Sequence, residues 1–365
     1  MKFVFASYVM IKSFNQPDAW IKRISAYAGI KEELAKRHEV VSIQQINFEG
    51  EYLQNDVSYH FLKFRLPSKY FPVTLNKDIK QQQPDIVVIQ GTHFPIQVLL
   101  LRLKLGSKTR IIVHHHAERP FTGIKKMFQR LADRHIDAYL FASRQMGLSW
   151  VKKGNLASPQ KIHEVMEVSS VFHQIDKVEA KGFTGIKKKL VYLWVGRLNA
   201  NKDPIATVKG FLKFAQRYPD AVLYMIYHND ELLPDVYELL EEHPNGNAVK
   251  MIGQAANNEL LYWYNSADFF VSGSHYEGSG TAVCEAMSCG CIPVVTNIDS
   301  FRMITNNGNC GLLYQPGNVD ELCKVLLQTV EIDKAEKRRL CLEYFRDHLS
   351  FSAIARGIEE IAASL

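Results

Sequence analysis

The chain has 365 residues, 47% of them apolar and 22% charged, with a net charge of +6. That length and balance imply a globular protein with room for two domains and exclude a disordered or fibrous chain. No apolar run reaches the roughly 18–20 residues that a bilayer-spanning helix requires.

The opening run KFVFASY reads as a buried strand. A cleaved leader is the less favoured reading, because Phe14, Pro17 and Trp20 stand where small residues would be needed. The stretch AYAGIKEELAKRH follows as an amphipathic helix with Ile30 and Leu34 inward, and EVVSIQQI is the next strand. Later come PDIVVIQG, RIIVHHH and DAYLFAS, each of buried-strand length and separated by helical stretches. This alternation predicts a parallel sheet covered on both faces.

The Lys- and Gly-rich stretch KVEAKGFTGIKKK breaks the pattern and reads as a linker over residues 177–189. The alternation then restarts. LVYLWVG, AVLYMIY, AVKMIG, DFFVSG and IPVVT read as strands. Helices are predicted at DPIATVKGFLKFAQRYP, NELLYWYNSA, TAVCEAMSCG and NVDELCKVLLQTV, with an amphipathic terminal helix at FSAIARGIEEIAASL. The expected fold is α/β, with two Rossmann-like doubly wound domains facing each other across a cleft. The boundaries are 1–176 for an acceptor domain, 190–345 for a donor domain, and 346–365 for a helix packing back toward the first domain. In such sheets ligands sit beyond the carboxyl ends of the strands.

All six cysteines lie in the second half, without zinc spacing, and read as reduced thiols in a cytoplasmic protein. Charge is uneven. Residues 1–178 carry 26 Lys and Arg against 15 Asp and Glu, and residues 179–365 carry 18 against 23. The excess in the first half suits an anionic partner such as a membrane surface or a phosphorylated lipid. The alternative is a domain that is simply basic. GIKKMFQRLADRH (123–135) puts Ile124, Met127, Phe128 and Leu131 on one helical face beside cations, and YHFLKFRLPSKYF (59–71) mixes aromatics with cations. Both suit peripheral contact with an anionic membrane, at the inner face of the cell membrane. The more usual reading of each stripe is a core face.

Three motifs carry a resemblance. VGRLNANKD (195–203), VKMIG (249–253) and SGSHYEGSGTAVCEAMSCGCIPVV (272–295) are similar to the retaining GT-B glycosyltransferases of family 4, and GNCGLLYQPGNVDEL (308–322) extends the likeness. The hallmark is a pair of glutamates with seven residues between them, here Glu277 and Glu285. The resemblance implies sugar transfer from a nucleotide-diphosphate sugar to a glycan or lipid-linked acceptor, in surface polysaccharide or glycoconjugate synthesis.

The residue chemistry fits that implication. The loop Gly278-Ser279-Gly280-Thr281 opens a helix, where backbone N–H groups and the helix dipole favour phosphate. Glu285, about one turn into the helix, is placed to accept ribose hydroxyl protons, and Glu277, at the strand end, to bind sugar hydroxyls. Arg197 and Lys202 share a loop and suit a diphosphate that gains charge as the glycosidic bond breaks. Gly196 and Gly253 end their strands at the same edge. Among His114, His115 and His116, the resemblance implies one imidazole near the sugar, with His116 the first choice. Catalysis is assigned to His116, Glu277, Arg197 and Lys202. No cofactor or metal is expected.

The sequence departs from the family in three places. KSFNQPDAW stands where a Gly-Gly loop is usual, HNDELLPD replaces a Gly-rich turn, and EVSSVFHQID replaces an Asn-Gly step. The competing readings are a nucleotide-sugar epimerase or phosphorylase of the same fold, and a basic nucleic-acid-binding module. The module lacks any nucleic-acid motif and leaves the two glutamates unexplained. A dehydrogenase is disfavoured because no G-x-G-x-x-G follows the first strand.

Overall fold

The Val-, Ile- and Phe-rich runs become strands whose two faces are both covered, which is why they show no polar alternation. The computed structural model describes residues 1–63 and 70–365. They divide into two units, Met1–Ser169 with Ser350–Leu365, and Ser170–Leu349.

The first unit contains β1 (Lys2–Ala6), β2 (Glu39–Gln45), β3 (Gly50–Gln54), β4 (Val57–Leu62), β5 (Ile86–Gln90), β6 (Arg110–His114), β7 (Ala138–Phe141) and β8 (Ile162–Glu164). The sheet order is β3-β4-β2-β1-β5-β6-β7-β8. Only β3 runs antiparallel, against β4. Asn55 and Asp56 join these two strands and both adopt positive φ, 47° and 62°. A two-residue hairpin turn of this hand matches the strand twist. Register aligns Ala6 with Ile89 and Gln90 with His114. The carboxyl ends of β1, β5 and β6 therefore share one edge.

The second unit contains β9 (Leu190–Gly196), β10 (Ala221–Tyr227), β11 (Val249–Gly253), β12 (Phe269–Ser272), β13 (Ile292–Thr296) and β14 (Leu312–Tyr314). All are parallel, in the order β11-β10-β9-β12-β13-β14. From β9 the chain moves outward through β10 and β11, then returns to β12 on the other side of β9. The switch in strand order lies between β9 and β12, and a crevice opens at the carboxyl ends of strands at such a point.

The stretch read as a linker is not one. Residues Lys177–Thr184 form a helix within the second unit, and the Asp176 side chain accepts from the N–H groups of Val178 and Glu179 at its start. That capping aspartate outweighs the two glycines. The helix Phe351–Ser364 belongs to the first unit and buries Ile354, Ala355 and Ile358. It crosses the helix Ser25–Ala35 at Gly29, where a Cβ would come within 2.7 Å of the Phe351 ring. Arg37 and His38 both reach Glu359, at 2.6 and 2.9 Å. All six cysteines are free thiols. The aromatic-and-cation stretch 59–71 falls partly on residues 64–69, which lie outside the described residues.

Candidate functional site

The loop after β9 and the loop after β12 are bound into one structure at the switch point. Asn201 donates to the Tyr276 carbonyl at 2.9 Å, and the His275 N–H donates to the Asn201 carbonyl at 2.8 Å. His275 also pairs with Asp203 at 3.0 Å. Lys202 and Glu277 form an ion pair, each only partly exposed. Gly273 permits this closeness, since a Cβ there would meet Thr207 Oγ1 at 2.7 Å and the Asp203 carbonyl at 3.0 Å. Asp203 sits at φ 45° and caps the helix Pro204–Ala215 through Ala206 N–H. A non-glycine residue at positive φ persists only where its surroundings over-determine it. Here the cap, the histidine and the packed glycine do so.

Arg197 follows Gly196, the last residue of β9. Its side chain is exposed and has no carboxylate partner among the described residues. The turn behind it is held from the third loop: Leu198 N–H donates to Asn229 Oδ1 at 2.6 Å, and Asn199 Oδ1 accepts from Lys202 N–H at 3.0 Å. One free cation and one paired cation therefore stand on a turn of fixed shape.

Gly278 and Ser279 lead into Gly280, which has φ +56° and precedes the helix Thr281–Ser288. A Cβ at Gly280 would lie 2.7 Å from the Phe301 ring, so glycine is required on two counts. The N–H groups at this helix start have no side-chain cap from Gly280, and such a terminus attracts anions. Glu285 lies one turn in and is partly exposed, and Tyr264 donates its hydroxyl to Oε2 at 2.8 Å. Burial raises the carboxyl to about 7, and the Tyr264 hydrogen bond opposes that shift.

The structure thus brings Gly196, Arg197, Lys202, Glu277, Gly278, Ser279, Gly280 and Thr281 onto two adjoining loops, with Glu285 just behind. One placement differs from the sequence reading. Glu277 is not at a strand end, since β12 stops at Ser272 and Glu277 lies within the following loop. Gly253 ends β11 at φ +83°, at the same sheet edge but two strands from β9. Asn201, Asp203, Asn229 and His275 were not singled out by sequence reasoning. The Asn-rich turn RLNANKD was a signal for the first two, because Asn and Asp side chains bind nearby backbone and tolerate positive φ.

In the first unit, β6 ends at His114, so His115 and His116 stand in the loop beyond it. His114 and His115 are buried, while His116 is partly exposed. His115 bonds the Glu118 carbonyl at 2.8 Å. Burial pushes His114 down to about 3. His116 differs. Nε2 lies 2.6 Å from Gln90 Oε1, and Nδ1 lies 2.8 Å from Glu167. Burial opposes its charge, but the Glu167 carboxylate, by charge and hydrogen bond, and then Glu118 reverse that effect and raise its pKa. With Gln90 and Glu167 at its two ring nitrogens, His116 is fixed in orientation, in surroundings that favour its protonated form. Glu118 is buried, accepts from the Thr92 and His116 N–H groups, and shapes the loop from within. A cavity of about 180 Å³ lies beside His116, lined by Trp20, Tyr27, Lys31, Gln90 and Glu167 among others. Its Lys31 is buried, donates to Ser42 Oγ at 2.9 Å, and is lowered to about 8 by burial.

Residues 176–347 match the sequence profile described as glycosyl transferases group 1. The chain is 29% identical to the O-antigen chain mannosyltransferase B of Escherichia coli over 39% of its length and 37% of that protein's. It is 23% identical to the GDP-mannose:cellobiosyl-diphosphopolyprenol alpha-mannosyltransferase of Xanthomonas campestris, over 90% of this chain and 82% of that one. Among solved structures, Anabaena HepE in complex with UDP superposes with a TM-score of 0.75 at 15% identity, covering all of both chains. HepE has also been solved with UDP-glucose. The fold is the two-unit α/β GT-B type, and the chain carries a group 1 glycosyltransferase domain.

Proposed function

We propose that this glycosyltransferase moves a mannosyl or glucosyl residue from a nucleotide-diphosphate sugar to a glycan or lipid-linked acceptor, with retention of anomeric configuration as in family 4. One observation carries the reading: the loop that bears Arg197 and Lys202 is tied, through the Lys202–Glu277 pair and the Asn201–Tyr276 hydrogen bond, to the loop that opens the helix Thr281–Ser288. That arrangement matches a diphosphate joined to a hydroxyl-rich ring. The related mannosyltransferases and the nucleotide-bound HepE structures support it.

In this reading the helix start and Arg197 hold the diphosphate, Glu285 accepts the ribose hydroxyls, and Glu277 orients the sugar while Lys202 balances its charge. Gly253 borders the same edge on the nucleotide side. As the glycosidic bond breaks, the leaving phosphate oxygen gains charge and takes the acceptor proton, and Arg197 and Lys202 stabilise it. No metal enters the proposal. The acceptor is assigned to the first unit, in the cavity beside His116, whose imidazole is oriented by Gln90 and Glu167. The pathway is surface polysaccharide or glycoconjugate assembly, on the cytoplasmic side.

A thermal-shift panel of UDP, GDP, ADP and their glucose and mannose derivatives tests the donor. A ligand at 100 times its Kd adds roughly 2.7 kcal/mol of stability. A shift with one base series supports the reading, and no shift with any removes it. Turnover of the bound donor to a sugar isomer without acceptor would favour an epimerase instead.

A further inference from the structure

The helix Gly123–Asp133 is turned opposite to what its apolar stripe suggests. Its buried residues are Gln129, Ala132 and Asp133. Gln129 donates to the Tyr139 hydroxyl at 3.1 Å, and Asp133 accepts from Ala157 N–H at 2.9 Å. Polar contacts therefore fix the orientation, and Ile124, Met127 and Leu131 are left exposed, Ile124 at 74%. The helix Pro95–Leu105 buries Pro95, Val98 and Leu101 and likewise leaves Ile96, Leu100 and Leu103 exposed, the last at 82%. These helices connect β5 to β6 and β6 to β7, three neighbouring parallel strands, so right-handed crossovers place them side by side on one sheet face. Arg102 of the first donates to the His135 carbonyl, just past the end of the second, at 2.7 Å. The result is a broad outward platform with two apolar ridges, and large exposed apolar patches mark interaction sites.

The charge around the ridges selects the partner. Residues 95–136 contain nine Lys and Arg but only two carboxylates, Glu118 and Asp133, and both are buried. Lys126, Arg130 and Arg134 form an i, i+4, i+8 row along a groove of about 440 Å³ that Met127 and Leu131 also line. Among the described residues no carboxylate pairs with these three cations or with Lys104 and Lys108. A second copy of this face would meet like charge, which disfavours self-association. An interface that is apolar at its centre, cationic at its edge and free of exposed acids matches a bilayer with anionic headgroups.

We infer that the paired helices Pro95–Leu105 and Gly123–Asp133 seat the first unit on an anionic lipid bilayer, with the six apolar side chains entering the acyl boundary and the Lys126–Arg130–Arg134 row binding lipid phosphates. This rests on the proposed function only in supplying a surface for a lipid-linked acceptor. Sedimentation of the full chain with phosphatidylcholine vesicles, with and without phosphatidylglycerol, tests it. Binding is expected only with phosphatidylglycerol and should weaken in high salt. Leu103→Gln with Ile124→Gln, and separately Arg130→Gln with Arg134→Gln, should each reduce binding about tenfold or more. All four side chains are exposed or groove-lining, so melting temperature and nucleotide-induced thermal shift should stay unchanged in both variants. Absence of binding at low salt, or unchanged binding in both variants, overturns the inference. A wild-type dimer that the Leu103→Gln, Ile124→Gln variant dissociates overturns it in favour of self-association. A failed nucleotide shift with intact vesicle binding would instead count against the donor assignment alone.

Discussion

The ammonium of Lys202 meets the carboxylate of Glu277 although the two lie 75 positions apart in the chain. The pair closes the loop after β9 onto the loop after β12, so the two side chains are coupled. Lys202→Ala, Glu277→Gln and the double variant should therefore be non-additive in donor Kd, with a coupling of about 0.5–3 kcal/mol. Calorimetric titration of all four proteins measures it. Strict additivity would mean that the pair is incidental to binding.

Arg197 supplies the contrasting case. It is exposed and its guanidinium pairs with no carboxylate among the described residues, so its loss should hardly affect folding. Arg197→Ala should lower turnover by about 2–4 kcal/mol of transition-state stabilisation while the melting curve stays in place. Near-normal kcat would remove it from the mechanism.

In its proposed role Glu285 should make donor binding depend on pH. Burial raises this carboxyl to about 7, whereas its unfolded counterpart titrates near 4.3. The protonated form is favoured in the folded chain, so its stabilising contribution is present in full below the unfolded pKa and fades as pH rises through 7. Binding ribose hydroxyls requires the opposite, charged form. Nucleotide affinity should fall about tenfold per unit below pH 7, and Glu285→Gln should flatten the profile. A wild-type Kd constant between pH 8 and 6 contradicts the role.

Lys31 yields a stability prediction with a fixed sign. Its ammonium is buried and lowered to about 8, below the unfolded value near 10.4. The folded chain holds fewer protons between these values. The penalty is therefore complete below pH 8 and disappears as pH climbs toward the unfolded pKa. Lys31→Met should stabilise at pH 7 by on the order of 2 kcal/mol, allowing for the lost Ser42 hydrogen bond, with the gap narrowing by pH 10. Denaturant midpoints at both pH values read it, and a gap independent of pH would refute it.

Much of the fold was legible because buried parallel strands leave a simple trace, as β5 and β9 show. The hairpin of β3 and β4 was missed because GEYLQ and VSYHFL carry few aliphatic residues, although Asn55-Asp56 between them is a turn signal. The helix Lys177–Thr184 was hidden by its lysines and glycines, and only Asp176 announced it. At the candidate site the charged residues could be read from the motifs, since glutamates and cations beside glycines are uncommon without a reason. Their supports could not. Asn229 grips Leu198 across 31 residues, and Glu167 holds His116 from a segment with no distinctive pattern. Such contacts depend on which strands become neighbours, and spacing along one chain does not encode that. The outward stripe of Gly123–Asp133 shows the same limit: periodicity reveals an amphipathic helix but not which way it is turned.

The last helix carries a consequence for biosynthesis. The first unit needs Ile354, Ala355 and Ile358 to finish its layer beside Gly29, yet the 180 residues Ser170–Leu349 intervene. At about 5–20 residues per second a ribosome needs roughly 10–40 s to make that insert. The first half to emerge is thus the last to be completed. It waits with the groove around Gly29 uncovered while the second half can already close, so a stop codon near position 350 would cripple the oldest part of the chain rather than the newest.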